Sequence, residues 1–227
     1  MIKIFSVFFG TLCLSIFTMA QPKTDISKLP LTTFNKSGNK HLVFYFTGDG
    51  GLNSFSQKVC EELAQKNYTV VSLDTRKYFW DTKTPDKLSQ DATEVVEHYL
   101  KQYNKAEFSL LGYSFGADAA IFFSTRLPKN LQQKFKSAVL LSPSTSTDFT
   151  VKVADLLGFG SKEGKYKTMP ELNKVQAPVL CIFGTDEDSD FYKNLKEKRD
   201  LEKVQIPGSH KYDNDIKKLI STIEKGL

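Results

Sequence analysis

Short runs of consecutive apolar residues alternate along this chain with stretches in which apolar positions fall three and four apart. Residues 41–46, 68–73, 108–111 and 138–141 are runs of the first kind. Continuous apolar character without polar alternation predicts strands buried on both faces. Residues 54–66 carry Val59, Leu63 and Ala64 at helical spacing behind Asn53 or Ser54 as N-cap, and residues 85–103 line up Leu88, Ala92, Val95, Val96 and Tyr99 on one face. Residues 115–126 make a further predicted helix, and residues 179–183, 193–199, 201–206 and 215–223 continue the alternation. Buried strands separated by amphipathic helices predict an α/β fold, a mostly parallel sheet with helices on both faces. Residues 142–177 break the rhythm: they are rich in Ser, Thr, Gly and Lys, with Phe149, Val153, Leu156 and Leu157 spaced as one helical face. They read as a short cap insertion, about residues 143–177, in a single domain covering residues 21–227.

The first 20 residues hold Lys3, the apolar stretch 4–17, and then Thr18-Met19-Ala20 before Gln21, with small residues three and one ahead of the junction. That is the pattern of a cleaved secretory signal. Cys60 falls in a predicted helix and Cys181 in a predicted strand, so both are expected as buried free thiols despite export. At 40% hydrophobic and 12% aromatic residues the chain can bury a core, which excludes a disordered protein. The formal charge of +5 is spread without a run of five or six Lys or Arg, which argues against a nucleic-acid partner.

Candidate chemistry centres on Gly112-Tyr113-Ser114-Phe115-Gly116, a Gly-x-Ser-x-Gly element set between a predicted strand and a predicted helix. A sharp turn there lifts the serine hydroxyl above the sheet, and glycines on both flanks remove Cβ atoms that would collide with neighbours. A serine hydroxyl needs a base. Of the three histidines, His41 opens a buried strand and His98 lies inside a long helix, whereas His210 sits in a loop after the last strand. The imidazole in turn needs a carboxylate, and Asp186, Glu187, Asp188 and Asp190 follow the strand at 179–183. Asp188 is favoured, with Asp186 next, if this loop is one residue longer than usual. The Phe115 N–H supplies one oxyanion donor, and Gly48-Asp49-Gly50-Gly51 offers a second through Asp49 or Gly50. Such chemistry requires neither a metal nor an organic cofactor.

Several stretches together resemble the VirJ/AcvB family of exported, virulence-associated α/β-hydrolases: Phe46 to Gly51, Asp74 through Tyr78-Phe79-Trp80, Lys83-Thr84-Pro85, Gly112 to Asp118, Arg126-Leu127-Pro128 and Pro207 to Asp213. The chain departs from that pattern at Leu52, where a tryptophan is usual, at Lys77, where an arginine is usual, and at Lys211, which replaces a second histidine. The resemblance implies an α/β-hydrolase fold, a periplasmic location and hydrolysis of an aminoacyl-phospholipid of the lysyl-phosphatidylglycerol type. It further suggests partners in type IV secretion. On that basis Arg76, Lys77 and Trp80 are candidates to hold the anionic phosphodiester, and Asp49 and Asp118 to attract the lysyl ammonium. The stripe from Phe149 to Leu157 is a candidate for transient contact with a membrane surface. The competing readings are a lipase or thioesterase for another acyl ester, and an idle hydrolase fold serving as an interaction module.

Overall fold

A computed structural model describes residues 23–151 and 163–227. The predicted signal at 1–20 and the stripe residues Val153, Leu156 and Leu157 lie outside the described residues. The elements, in chain order, begin with β1 (Leu31–Phe34), β2 (Leu42–Phe46), α1 (Ser54–Gln65), β3 (Thr69–Leu73), α2 (Thr75–Tyr78) and α3 (Pro85–Gln102). Next come β4 (Phe108–Tyr113), α4 (Phe115–Ser124), α5 (Lys129–Gln132) and β5 (Phe135–Leu141). The remainder are β6 (Ser146–Thr147), β7 (Tyr166–Lys167), α6 (Thr168–Leu172), β8 (Val179–Gly184), α7 (Asp190–Asn194), β9 (Leu201–Ile206) and α8 (Ile216–Ile223).

Seven strands form one sheet in the order β1-β3-β2-β4-β5-β8-β9, parallel except for β1. Period two along each strand separates the two apolar layers. Phe44 and Phe46 of β2 join Leu88 and Val95 of α3 and Phe123 of α4 on one face, whereas Val43 and Tyr45 join Val59 and Leu63 of α1 and Ile220 and Ile223 of α8 on the other. Helix starts are set locally. Asn53 caps α1 by accepting from the Phe55 and Ser56 N–H groups, and Thr84 caps α3 by accepting from Lys87 N–H with Pro85 at its first turn.

From β2 the chain moves outward to β3 and then crosses back to β4, so the strand order reverses between β2 and β4. In open parallel sheets the crevice beyond the carboxyl ends of two such strands is where ligands collect. The loops after β2, β4, β5, β8 and β9 all leave from that edge.

Some expectations change. Residues 193–199 do not form a helix; only α7 is helical, and the chain then reverses through a bridge between Lys198 and Leu201. Lys196-Glu197-Lys198-Arg199 gives a helix no apolar face to bury. The edge strand β1 and the short α2 were not legible from periodicity. The predicted strands at 108–111 and 138–141 extend to Tyr113 and back to Phe135, and the helix predicted to reach Arg126 ends at Ser124. Within the predicted insertion, β6 and β7 pair as an antiparallel ribbon. Phe149 is fully buried among the rings of Phe79, Phe122 and Tyr166, so this stripe residue faces the core and not a membrane. Cys60 and Cys181 are buried and unpaired, and burial pushes both thiols well above their ordinary range. Among the described residues no helix is long and apolar enough to cross a membrane.

Candidate active site

Ser114 occupies the single residue between β4 and α4 at φ 53° and ψ −122°, a strained conformation for a residue with a Cβ. Its N–H is held by the Leu141 carbonyl at 2.7 Å, and its own carbonyl accepts from Ala117 and Asp118. The flanking glycines are steric requirements. A Cβ on Gly116 would lie 2.0 Å from the Thr47 carbonyl oxygen, and one on Gly112 would lie 2.5 Å from Ala117 Cα. The Gly116 approach brings the turn after β2 against the serine elbow.

That turn is pinned from behind. The Thr75 hydroxyl reaches the Thr47 and Gly48 carbonyls at 2.8 and 2.7 Å, and Thr75 N–H donates to Thr47 Oγ1 at 3.0 Å. Gly51, at φ 68°, commits its N–H to the Gly48 carbonyl at 2.9 Å. Asp49 and Gly50 are left as the turn's candidates for a second donor, beside Phe115 N–H in the first turn of α4.

His210 lies in the loop after β9, its carbonyl accepting from Tyr113 Oη at 3.1 Å and its ring centroid 5.3 Å from that of Tyr113. Tyr212, Asp213 and Asn214 follow at φ 53°, 52° and 57°, three successive left-handed residues. Ser114 and His210 line one open cleft of about 500 Å³ together with Ser142, Pro143, Ser144 and Glu187. Among the described residues Ser114 Oγ makes no hydrogen bond. The expected serine–histidine pair is therefore a shared cleft and not a formed bond; bonds of this kind often tighten only around substrate.

The carboxylate at His210 is Glu187, not Asp188 or Asp186. Glu187 Oε2 lies 3.3 Å from His210 Nδ1, while Oε1 accepts from Ser142 Oγ at 2.6 Å and from Gly184 N–H at 2.9 Å. The Glu187 side chain is 12% exposed. Burial pushes its pKa up, but the hydrogen bonds from His210, Ser142 and Gly184 outweigh this and hold it below the ordinary value. Asp188, by contrast, has an 89% exposed side chain paired with Lys193, and Asp186 is exposed and accepts from Thr185 Oγ1. Glu187 stands three residues past Gly184, the usual spacing; allowing for one extra residue in the loop moved the expectation to its neighbour.

The other histidines are elsewhere. His41 Nε2 lies 3.0 Å from Ser109 Oγ at the start of β2, and His98 lies on α3 against Tyr99. Asp118 is fully buried under the cleft wall, accepting from Ser144 N–H and Oγ at 2.8 and 2.7 Å. Burial pushes its carboxyl well above the usual range. It is a fixture of the wall, not a group open to a ligand's ammonium. Among the described residues no three His, Cys, Asp or Glu side chains converge as a metal site would need.

The Tyr-Phe-Trp stretch divides its labour. Tyr78 Oη donates to Asp91 Oδ2 at 2.8 Å, and Phe79 is fully buried against Phe115 and Phe149. Trp80 is instead 56% exposed and lines an open groove of about 570 Å³ with Gly50, Leu52, Arg76 and Lys77. Lys77 lies 3.7 Å from Asp74, while Arg76 has no ion-pair partner among the described residues.

Residues 40–227 match the model of a family described as VirJ, bacterial virulence protein. No curated protein matches the sequence. Among solved structures, the enol-lactonase from Burkholderia xenovorans superposes with a TM-score of 0.65 at 13% identity, over 90% of this chain and 98% of that one. Est1E from Butyrivibrio proteoclasticus gives 0.62 at 16% identity over 86% and 90%. The NocB thioesterase domain of the nocardicin cluster gives 0.59 at 19% over 87% and 98%. At such identities the likeness establishes the fold, which is that of the α/β-hydrolases.

Proposed function

The chain belongs to the VirJ family of bacterial virulence proteins, and from the geometry of its cleft we propose that it is a serine hydrolase acting on a carboxylic ester. One observation carries this reading: a serine held at a strained strand-to-helix turn shares a cleft with an imidazole whose Nδ1 meets a half-buried carboxylate. Ser114 Oγ attacks the ester carbonyl while His210 Nε2 removes its proton. Glu187 keeps the proton of His210 on Nδ1 and stabilises the imidazolium. The tetrahedral oxyanion faces Phe115 N–H and an N–H of Asp49 or Gly50. Collapse expels the alcohol, protonated by His210, and leaves an acyl-serine that water cleaves by the same sequence in reverse roles.

The substrate we propose is an aminoacyl ester of an anionic phospholipid, of the lysyl-phosphatidylglycerol type. Two features support it. Asp186, Asp188 and Asp190 line the cleft, and among the described residues only Lys193 pairs with them, an acidic lining suited to an ammonium. The groove that starts at Gly50 offers Arg76, Lys77 and an exposed Trp80, suited to a phosphodiester at a bilayer surface. Export to the periplasm through residues 1–20 would place the enzyme beside such lipids.

The test is labelling of the protein with a fluorophosphonate, followed by incubation with lysyl-phosphatidylglycerol and with neutral esters while free lysine is measured. We expect Ser114 to label and lysine to be released. Turnover of neutral esters alone would refute the lipid substrate and leave the hydrolase. Failure of Ser114 to label would favour a non-catalytic interaction module in secretion.

A further inference from the structure

Behind Glu187 lie two buried hydroxyls that the reaction above does not use. Ser142 follows β5 at φ 47°, and Tyr212 follows His210 at φ 53°. Both are buried, Tyr212 with 1% of its surface exposed. Ser142 Oγ is 2.6 Å from Glu187 Oε1; Tyr212 Oη is 2.6 Å from Ser142 Oγ and 3.1 Å from the Ile182 carbonyl.

Proton counting gives this chain a direction. An ionised carboxylate only accepts, so the one proton of Ser142 goes to Glu187. Ser142 Oγ must then accept from Tyr212, whose one proton is shared between Ser142 and the Ile182 carbonyl. Gly184 N–H donates to the same oxygen of Glu187, so Oε1 is held from two sides and Oε2 is turned to His210. The three partners come from the loops after β5, β8 and β9, so the relay ties together the strands that deliver acid and base.

Resting on the serine-hydrolase reading, we infer that Ser142 and Tyr212 are positioning residues: a buried hydroxyl relay that fixes Glu187 and, through it, the imidazole of His210. The Ser142 hydroxyl is committed to Glu187 and that of Tyr212 to Ser142 and the Ile182 carbonyl. The backbone supports this assignment. Both positions are left-handed, where glycine would be unstrained, yet the residues present carry hydroxyls, one bonded to the acid and the other to that first hydroxyl.

The relay is tested by the rate at which a fluorophosphonate labels Ser114, measured across pH, in the wild type and in Ser142→Ala, Ser142→Gly, Tyr212→Phe and the Ser142→Ala/Tyr212→Phe double variant. Loss of a hydrogen bond to a charged group predicts that Ser142→Ala labels about 10- to 100-fold more slowly. Its acid limb should move to higher pH, because Glu187 loses a donor that favours its ionised form. Ser142→Gly relaxes the backbone while deleting the hydroxyl, and should show the same loss without a lower Tm. Tyr212→Phe should slow labelling about 3- to 10-fold, as a neutral hydrogen bond lost one step further back. Because Tyr212 acts through Ser142, the double variant should match Ser142→Ala within about twofold. Variants that label at the wild-type rate with an unmoved pH profile would overturn the relay, as would a double variant whose loss is the product of the single losses. A wild type that fails to label would instead overturn the hydrolase reading, and this inference with it.

Discussion

Glu187 carries its charge with little water around it, and three hydrogen-bond donors are what make that charge tolerable. Its pKa is lowered on folding, so it stabilises the native state above the ordinary carboxylate pKa, and that contribution is lost as the pH falls through the folded value. Glu187→Gln should therefore be less stable than wild type in urea at pH 7, with the difference shrinking as the pH falls below the ordinary carboxylate value. Ester hydrolysis should drop about 10³- to 10⁴-fold, through loss of the correct imidazole tautomer. Asp186→Asn and Asp188→Asn, on exposed side chains, should keep turnover of a neutral ester within about twofold, raise KM for a cationic aminoacyl ester, and leave stability within ~0.5 kcal/mol. Ser114→Ala should abolish turnover while leaving Tm within a few degrees. That Ser114 and His210 come to one cleft was legible because the serine's flanking glycines and the loop position of the histidine are local facts. Which carboxylate reaches His210 was not. Four carboxylates crowd residues 186–190, and only the path of the loop decides which one turns inward.

At the scale of elements, α2 and the residues after it show how a short segment can be held and still present a side chain. Asp74 caps α2 by accepting from Lys77 N–H, and Tyr78 and Phe79 anchor it in the core, leaving Trp80 at the surface. Phe79→Ala should cost about 3–5 kcal/mol in denaturant unfolding. Trp80→Ala should leave the unfolding curve unchanged and raise KM for a phosphate-bearing ester more than for a neutral one. Gly116→Ala is expected to be far more damaging than an ordinary glycine substitution, because the added Cβ would meet Thr47 backbone at 2.0 Å. Poor soluble yield and loss of serine labelling would check it. Long elements such as α3 were readable because a stripe repeated over 18 residues leaves little choice. The four-residue α2 and β1 were not, since one depends on a cap and the other on a partner strand distant in sequence.

For the whole molecule, the acid-sensitive point outside the cleft is at the opposite end of the sheet. Burial and the charges of Lys136, Lys40 and Lys105 push the His41 imidazole down to about 4. The unfolded chain takes up this proton first, so stability is lost as the pH falls from the ordinary histidine value of about 6.5 toward the folded one. His41→Gln should lose less stability than wild type between pH 7 and 5, as read from urea midpoints. The parallel architecture was legible in the alternation of elements, but the order of strands was not: the crossing from β3 back over β2 to β4 is a long-range choice, and it creates the crevice in which the serine stands.

The three successive left-handed residues after His210 carry a consequence for how this protein can change. Such a reverse-wound segment has a set length: adding or deleting one residue between His210 and α8 would swing the imidazole away from Glu187 and withdraw Tyr212 from Ser142 in the same motion. Divergence along this arm should therefore proceed by exchange of side chains, with insertions and deletions excluded from it.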